Sequence, residues 1–179
     1  MIDWPPAEPI DTDRLILEPL RPEHATEMFA VLDDVRLHEF VGGEPLTREQ
    51  LEERYRRLAC GHSPDGREGW LNWMVRVRET EALVGTVQAT LTGAPPSLSA
   101  ELAWVVGVAA QGHGYATEAA LAMMRWCSGH GVTRFLAQIR PDHVASGAVA
   151  RALGLKATAR VVAGETVWQL TRRSEPAPE

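Results

Sequence analysis

The chain has few of the residues from which metal sites and disulfide frameworks are built. Of its 179 residues only two are cysteines, Cys60 and Cys127, and neither lies in a Cys-x-x-Cys pair or a Cys/His cluster. We therefore expect no bound metal and no disulfide scaffold. A domain of this size buries roughly 70% of its unfolded surface, so it needs neither feature to be stable.

Positive charge and long apolar runs are also scarce. The formal net charge is −6, which argues against general nucleic-acid binding, because that depends on an excess of Lys and Arg. No run approaches the ~20 apolar residues that span a bilayer, and the N-terminus does not resemble a signal peptide. We therefore expect a cytoplasmic protein with no membrane or nucleic-acid partner. The acidic charge would suit a cationic amine substrate, although many acidic proteins are merely soluble.

The hydrophobic pattern indicates one domain spanning residues 1–179, with a core of about 12–172, a Pro-rich arm over 1–10 and a tail over 174–179. Alternating strands follow two early helices, and the last third reads as strand, helix and a final pair of strands. This order predicts an α/β (mixed α+β) fold in which helices flank a mixed sheet. The main predicted elements are strands at 14–18, 71–77, 83–91, 100–106, 135–139, 157–162 and 166–170, and helices beginning at Pro22, after Thr47, and at about 115–128 and 145–153.

The most informative segment joins the apolar strand that ends at Val106 to a helix that begins near Tyr115. The turn between them contains three glycines. The first N–H groups of a helix have no internal partner and lie at the positive end of its dipole, so this turn is suited to hold a phosphate group. There is no Gly-Lys-Ser/Thr, which excludes a P-loop, and Thr117 replaces the third glycine of a dinucleotide fingerprint.

The turn carries Gln111-x-x-Gly114-x-Ala116, and here the sequence resembles the GNAT superfamily of N-acetyltransferases. Together with Thr12-Asp13-Arg14-Leu15-Ile16-Leu17 and Pro141-Asp142-His143-Val144-Ala145-Ser146, it is similar to the branch typified by ribosomal-protein N-terminal acetyltransferases. The resemblance implies a mostly antiparallel mixed sheet, splayed between its fourth and fifth strands. It also implies acetyl-coenzyme A as the acyl donor, with direct transfer to a primary amine of a small molecule or a protein N-terminus. A homodimer is compatible with this interpretation, although no feature of the sequence requires one.

The resemblance assigns donor-binding roles along this segment. Backbone N–H groups from Gly112 to Thr117 should hold the pyrophosphate, while Val106 and Val108 should pair with the pantetheine arm, and a backbone N–H near Val106 should polarise the thioester carbonyl. His143 stands where the family usually has an asparagine. The implied donor-binding residues are Val106, Val108, Gln111, Gly112, His113, Gly114, Tyr115, Ala116, Thr117 and His143.

Two residues are candidates for proton transfer. An alkyl ammonium with a pKa near ~10 is almost fully charged at neutral pH, so a general base helps. Glu101 is the candidate base, acting through water; the alternative is a strand-edge carboxylate in a salt bridge. The family's usual acid, a tyrosine, is replaced here by Ala150. Ser146 matches the serine that the resembled ribosomal branch places near the thiol, so the resemblance makes it the candidate proton donor to the leaving thiolate; the alternative is a serine that caps its helix.

Other functional interpretations stay open at the level of sequence. One is an acyl-CoA-binding protein that has lost catalysis, and a second is a small hydrolase that uses Cys127 or Ser146, although no Gly-x-Ser-x-Gly elbow is present. Cys127 lies on an apolar helix, where a core position is the simpler expectation. The alternating Trp70, Trp73 and Trp104 either pack in the core or line an acceptor pocket.

Overall fold

The structure is a computed structural model that describes residues 3–37 and 44–171. In the described residues, eight strands form one sheet with helices on both faces. The strands are β1 (Ile10–Asp11), β2 (Leu15–Pro19), β3 (Gly69–Val77), β4 (Leu83–Thr92), β5 (Leu98–Val106), β6 (Val132–Ile139), β7 (Lys156–Val162) and β8 (Glu165–Thr171). The helices are α1 (Ala25–Leu32), α2 (Arg48–Leu58), α3 (Tyr115–Gly129) and α4 (Val144–Ala152).

The sheet has the order β1-β2-β3-β4-β5-β6-β8-β7. Neighbouring strands are antiparallel, except that β5 and β6 are parallel. Their pairing runs only from Leu98 opposite Val132 to Glu101 opposite Leu136. Beyond Glu101 the two strands separate, so the sheet opens between the fourth and fifth of its longer strands. The predicted fold class, including this splay, is confirmed.

The two faces of the sheet bury different clusters. Alternation of side chains along β4 and β5 sends residues such as Val87 and Leu102 toward α3, where they pack with Met123 and Cys127. The other face carries Met74 and Leu83 beneath α1 and α2. Because a strand exposes alternate residues to opposite faces, the same strands present polar side chains beneath α1 and α2.

Local sequence signals explain where the early helices begin. Pro22 begins a 3-10 turn over Pro22–His24 that leads into α1. Proline is favoured at the first position of a helix because its φ is already fixed near the helical value and its missing N–H would have no partner there. Thr47 and Gln50 form the expected capping box before α2: the Gln50 N–H donates to Thr47 Oγ1 at 3.2 Å, and the Thr47 N–H donates to Gln50 Oε1 at 2.8 Å. Both predicted helix starts are confirmed.

The N-terminal arm packs against the domain from residue 4 onward. The Trp4 indole N–H donates to the Gly66 carbonyl at 3.1 Å, and Trp73 donates to the Glu8 carbonyl at 2.7 Å. Trp73 is fully buried, so its predicted core role is confirmed. The predicted tail over 174–179 lies outside the described residues.

Candidate functional site

The loop that follows β5 has the backbone of an anion cradle. A 3-10 turn over Val108–Ala110 leads to Gly112 and Gly114, whose φ angles are +80° and +78°. Gly114 is the N-cap residue of α3. Side-chain-bearing residues adopt this left-handed region only at a cost, so glycine is the natural residue at both positions.

Several backbone N–H groups lie together where the loop meets the start of α3. The first turn of α3 is closed by the Glu118 N–H, which donates to the Gly114 carbonyl at 3.1 Å. The N–H groups of residues 112–117 have no acceptor among the described residues. Successive unpaired N–H groups at the positive end of a helix dipole form an anion-binding site.

Side-chain hydrogen bonds fix the shape of this loop. Gln111 Nε2 donates to the Val106 carbonyl at 3.0 Å, which ties the loop to the end of β5. His113 Nδ1 lies 2.9 Å from the Gln111 carbonyl oxygen, and its ring stacks on Tyr115 with centroids 5.4 Å apart. The structure therefore places the His113 imidazole against the loop itself.

Glu118 anchors the start of α3 to the distant N-terminal segment. Its carboxylate accepts hydrogen bonds from Thr12 Oγ1 at 2.6 Å and from Arg14 Nε at 2.7 Å, and Arg14 Nη1 also donates to the His113 carbonyl at 2.9 Å. Partial burial favours a higher pKa for Glu118, but the Thr12 and Arg14 hydrogen bonds outweigh it, so its pKa is lowered. The carboxylate is thus ionised, and Arg14 balances its charge beside the cradle.

The cradle opens into a groove of about 740 Å³ between the end of β5, the loop and the start of α4. It contains most of the residues that the sequence assigned to the donor. Those lining it are Val106, Val108, Gln111, Gly112, Gly114, Tyr115, Ala116, Thr117, His143 and Ser146. His113 and Glu101 are not among its lining residues.

His143 and Ser146 interact at the first turn of α4. His143 is the N-cap residue, and its Nδ1 accepts a hydrogen bond from the Ser146 N–H at 3.4 Å. The cap is therefore His143, and the alternative in which Ser146 caps the helix is wrong. Burial lowers the pKa of His143, which favours the neutral ring with its proton on Nε2. The Ser146 hydroxyl lines the groove and has no hydrogen-bond partner among the described residues.

Glu101 lies where β5 and β6 separate. It is exposed, and Glu101 Oε1 accepts a hydrogen bond from Gln138 Nε2 at 2.7 Å. No salt bridge to Glu101 occurs among the described residues. Its side chain points to the same face as Ala103, two residues along the strand, a spacing of about 7 Å.

A second cavity of about 370 Å³ lies on that face, beneath α1 and α2. It shares the lining residues Leu37, Trp104 and Val105 with the groove, so the two spaces meet along the second half of β5. Of the three tryptophans named from the sequence, Trp104 lines this cavity. Trp70 instead donates its indole N–H to Glu68 at 3.0 Å.

Cys127 and Ala150 are both buried. Cys127 is fully buried, and desolvation raises the pKa of its thiol to about 12. A thiol with that pKa in the core is not a nucleophile, so its predicted core role is confirmed. Ala150 is also fully buried and carries no acidic group toward the groove.

Metal ligands and membrane-spanning helices are both lacking in the described part of the chain. Within residues 3–37 and 44–171, no group of three or more His, Cys, Asp or Glu side chains is arranged to hold a metal ion. In the same ranges, no helix has the length and apolar character required to cross a membrane.

Comparisons with known proteins agree with this geometry. A family model described as an acetyltransferase (GNAT) domain matches residues 14–156. No curated protein matches the chain by sequence. The chain therefore belongs to the GNAT acetyltransferase family, whose reaction is acetyl-CoA-dependent N-acetylation.

Solved structures share the fold at low sequence identity. An acetyltransferase of the GNAT family from Bacillus anthracis has 16% identity and a TM-score of 0.74, covering 92% of this chain and 98% of that one. RimL, a ribosomal L7/L12 α-N-protein acetyltransferase in complex with coenzyme A, has 16% identity and a TM-score of 0.75, covering 94% and 100%. An acetyltransferase from Salmonella typhimurium that modifies the N-terminal serine of L7/L12 has 16% identity and a TM-score of 0.74, covering 93% and 100%.

Proposed function

We propose that the groove binds acetyl-coenzyme A with its pyrophosphate on the N–H groups of residues 112–117. The observation that carries this assignment is the run of unpartnered donors at two left-handed glycines, which fits a diphosphate in charge and in hydrogen bonding. Val106 and Val108 would border the pantetheine arm in the part of β5 that is no longer paired with β6. A thioester bound there supplies an activated acetyl group, and a backbone N–H near Val106 would polarise its carbonyl.

Glu101 would act as the general base through water. Its carboxylate is exposed beside the acceptor face. Glu101 and Ala103 are two residues apart on the strand, and this spacing of about 7 Å leaves room for a bridging water. The Gln138 hydrogen bond holds one carboxylate oxygen in place. The base takes the ammonium proton, after which the neutral amine forms a C–N bond to the acetyl carbon. The nitrogen then loses its second proton to solvent as the C–S bond breaks.

Ser146 would donate a proton to the departing thiolate. Its hydroxyl lines the groove, while its backbone N–H is held by His143. The coenzyme then leaves as the free thiol, and Ser146 regains its proton from solvent. His143, in its neutral form, would place its Nε2–H near the donor in the role that the family gives to asparagine.

The acceptor would be the primary amine of a small molecule or of a protein N-terminus. The related enzymes that modify L7/L12 act on a protein N-terminus. In this chain a cavity of about 370 Å³ borders the transfer point at Trp104 and Val105, and this volume suits one residue or one small molecule.

Calorimetric titration with acetyl-coenzyme A tests the donor site. We expect micromolar-range binding by the wild type and its loss in Gly114→Glu, because a carboxylate would enter the cradle. Gly164→Glu is the matched control, since Gly164 has a similar φ of +85° in a distant hairpin. Binding that survives Gly114→Glu would contradict the proposed pyrophosphate site. Binding without release of thiol in the presence of any amine would instead favour an inactive acyl-CoA-binding protein.

The base is tested by the pH profile of Glu101→Gln. We expect kcat/KM to fall by about 10²–10⁴-fold near neutral pH. The defect should shrink as the pH approaches the pKa of the acceptor amine, which is ~10 for an alkyl amine and ~8 for an α-amine, because the amine then loses its proton to solvent. Glu53→Gln, at a residue whose side chain is 71% exposed on α2, is the control. A defect that is the same at every pH would refute the role of Glu101 as base.

A further inference from the structure

The cavity beneath α1 and α2 has mostly apolar walls. Leucine side chains from both helices and from the flanking segments surround it, together with Phe29. The leucines that line it are Leu20, Leu32, Leu37, Leu46, Leu51 and Leu58. Apolar pockets of this size that contain a few convergent polar groups are typical sites for small organic ligands.

Four polar side chains line the cavity without a hydrogen-bond partner among the described residues. Tyr55 on α2 is 4% exposed, and its hydroxyl is buried with no partner. Asn72 on β3 is 5% exposed, and Thr86 and Gln88 project from β4 on the same face of the sheet. Leaving a buried hydroxyl such as that of Tyr55 unpaired destabilises a folded protein. A ligand with hydrogen-bonding groups would satisfy it and would also bond to the other three side chains.

Charge at the cavity is confined to its exposed residues. Among the described residues the cavity has one acidic lining residue, Glu44, and one basic one, Arg54, and both are exposed. Its buried lining is uncharged. A ligand with several positive charges would lose hydration there without gaining carboxylate partners.

We infer that the acceptor is a monoamine attached to an uncharged, mainly apolar body that carries an amide or carbonyl group. The apolar body would fill the leucine-lined space, and the amide would bond to Tyr55, Asn72 and Gln88. The amine would point toward Trp104 and Val105, where the cavity meets the groove. This assignment rests on the proposed acetyl transfer and narrows its acceptor.

A panel of amines tests the inference on the full chain, with acetyl-coenzyme A as donor. Phenylalaninamide supplies the amine, the apolar body and the amide, whereas phenethylamine lacks the amide and spermidine is a polycation. We expect kcat/KM, expressed per concentration of neutral amine because the two amines differ in pKa, to be about tenfold higher for phenylalaninamide than for phenethylamine. Spermidine should be the poorest substrate. A peptide that begins with serine represents the protein N-terminus and should also be poorer than phenylalaninamide.

Two cavity variants separate ligand recognition from structural effects. Tyr55→Phe should raise KM for phenylalaninamide by about three- to tenfold with little change in kcat, and Gln88→Met should act in the same direction. The unfolding temperature of Tyr55→Phe should not fall, because the hydroxyl that it removes has no partner. Thr92→Val is the matched control for the strand, since Thr92 lies on β4 on the same face, pairs with Ser99 and does not line the cavity.

The outcomes distinguish this inference from the function on which it rests. Preference for spermidine or for the serine peptide, or an unchanged KM in both cavity variants, would overturn the inferred acceptor class. So would failure to acetylate phenylalaninamide by protein that binds acetyl-coenzyme A. Absence of acetyl-coenzyme A binding would instead overturn the proposed function.

Discussion

Replacing Gly112 by alanine separates the local cost of a left-handed residue from the loss of an anion site. Gly112 has a φ of +80°, and a β-carbon built there meets no atom within 4 Å. The added methyl group therefore makes no clash inside the protein. Gly164, in the hairpin between β7 and β8, has a φ of +85° and equally open surroundings. The two substitutions impose the same backbone strain at two different places.

The expected loss of stability is similar for both variants. A non-glycine residue in the left-handed region costs about 1–2 kcal/mol. Reduced freedom of the unfolded chain returns about 0.4–1 kcal/mol, which leaves a net destabilisation of about 1 kcal/mol for each. Binding should differ, because in Gly112→Ala the methyl group or a shifted turn removes at least one charge-assisted hydrogen bond to the phosphates. Such a bond contributes about 1.5–3 kcal/mol, or roughly 10–100-fold in Kd.

Urea unfolding and calorimetric titration with coenzyme A measure these two effects independently. The unfolding free energies of Gly112→Ala and Gly164→Ala should agree closely, while only Gly112→Ala should bind coenzyme A more weakly. Equal binding by both variants would refute the assignment of the pyrophosphate to this turn. A much larger destabilisation of Gly112→Ala would show that the turn has a structural role that its open surroundings do not explain.

Three further substitutions examine the parts that support the groove. Glu118→Gln should lower the free energy of unfolding by about 1–2 kcal/mol, a value reduced because solvent screens the half-exposed Arg14. It should also weaken coenzyme A binding in the same titration. In the wild type, the ionised Glu118 stabilises the fold fully above the usual pKa of glutamate. This stabilisation is lost as the pH falls through the lowered pKa that Glu118 has in the folded protein. Ser146→Ala should lower kcat by about 10²-fold with an unchanged Kd for acetyl-coenzyme A; an unchanged kcat in steady-state assays would refute its role as donor. His143 has a lowered pKa, so the wild type should lose stability below pH ~6.5, where the unfolded chain gains a proton first. Burial also lowers the pKa of His24, so His143→Asn should lose less stability than the wild type over this range without abolishing the loss, as urea unfolding on both sides of this pH would show.

The fold could be predicted because its signals are local. Alternation along β3 and β4, the Thr47 capping box and the start of α3 at Tyr115 each depend on residues within a few positions of one another. The same holds for the anion cradle, because a strand, a glycine turn and a helix are contiguous in the chain. The residues of the groove proposed to bind the donor could therefore be named from the sequence.

The cavity proposed for the acceptor depends on strand pairings that a single sequence does not contain. Asn72 lies opposite Gln88, and Gln88 opposite Ala103, only because three strands adopt one particular register. A shift of one residue would turn each side chain to the other face. Tyr55 joins this set from a helix whose pattern indicates burial but not an unpaired hydroxyl. Likewise, Glu118 bonds to Arg14 across 104 positions, and no local signal indicates that contact.

The arrangement of the two cavities along β5 would allow the proposed transfer to proceed without a protein nucleophile. Among the described residues they share Leu37, Trp104 and Val105, so the donor and acceptor spaces meet at one short stretch of strand. That stretch begins where β5 has separated from β6, just beyond Glu101. A thioester that enters from the groove and an amine that enters from the cavity would therefore come together beside a carboxylate. Holding the two reactants in that geometry supplies a large part of the rate enhancement, because a bimolecular step becomes effectively unimolecular.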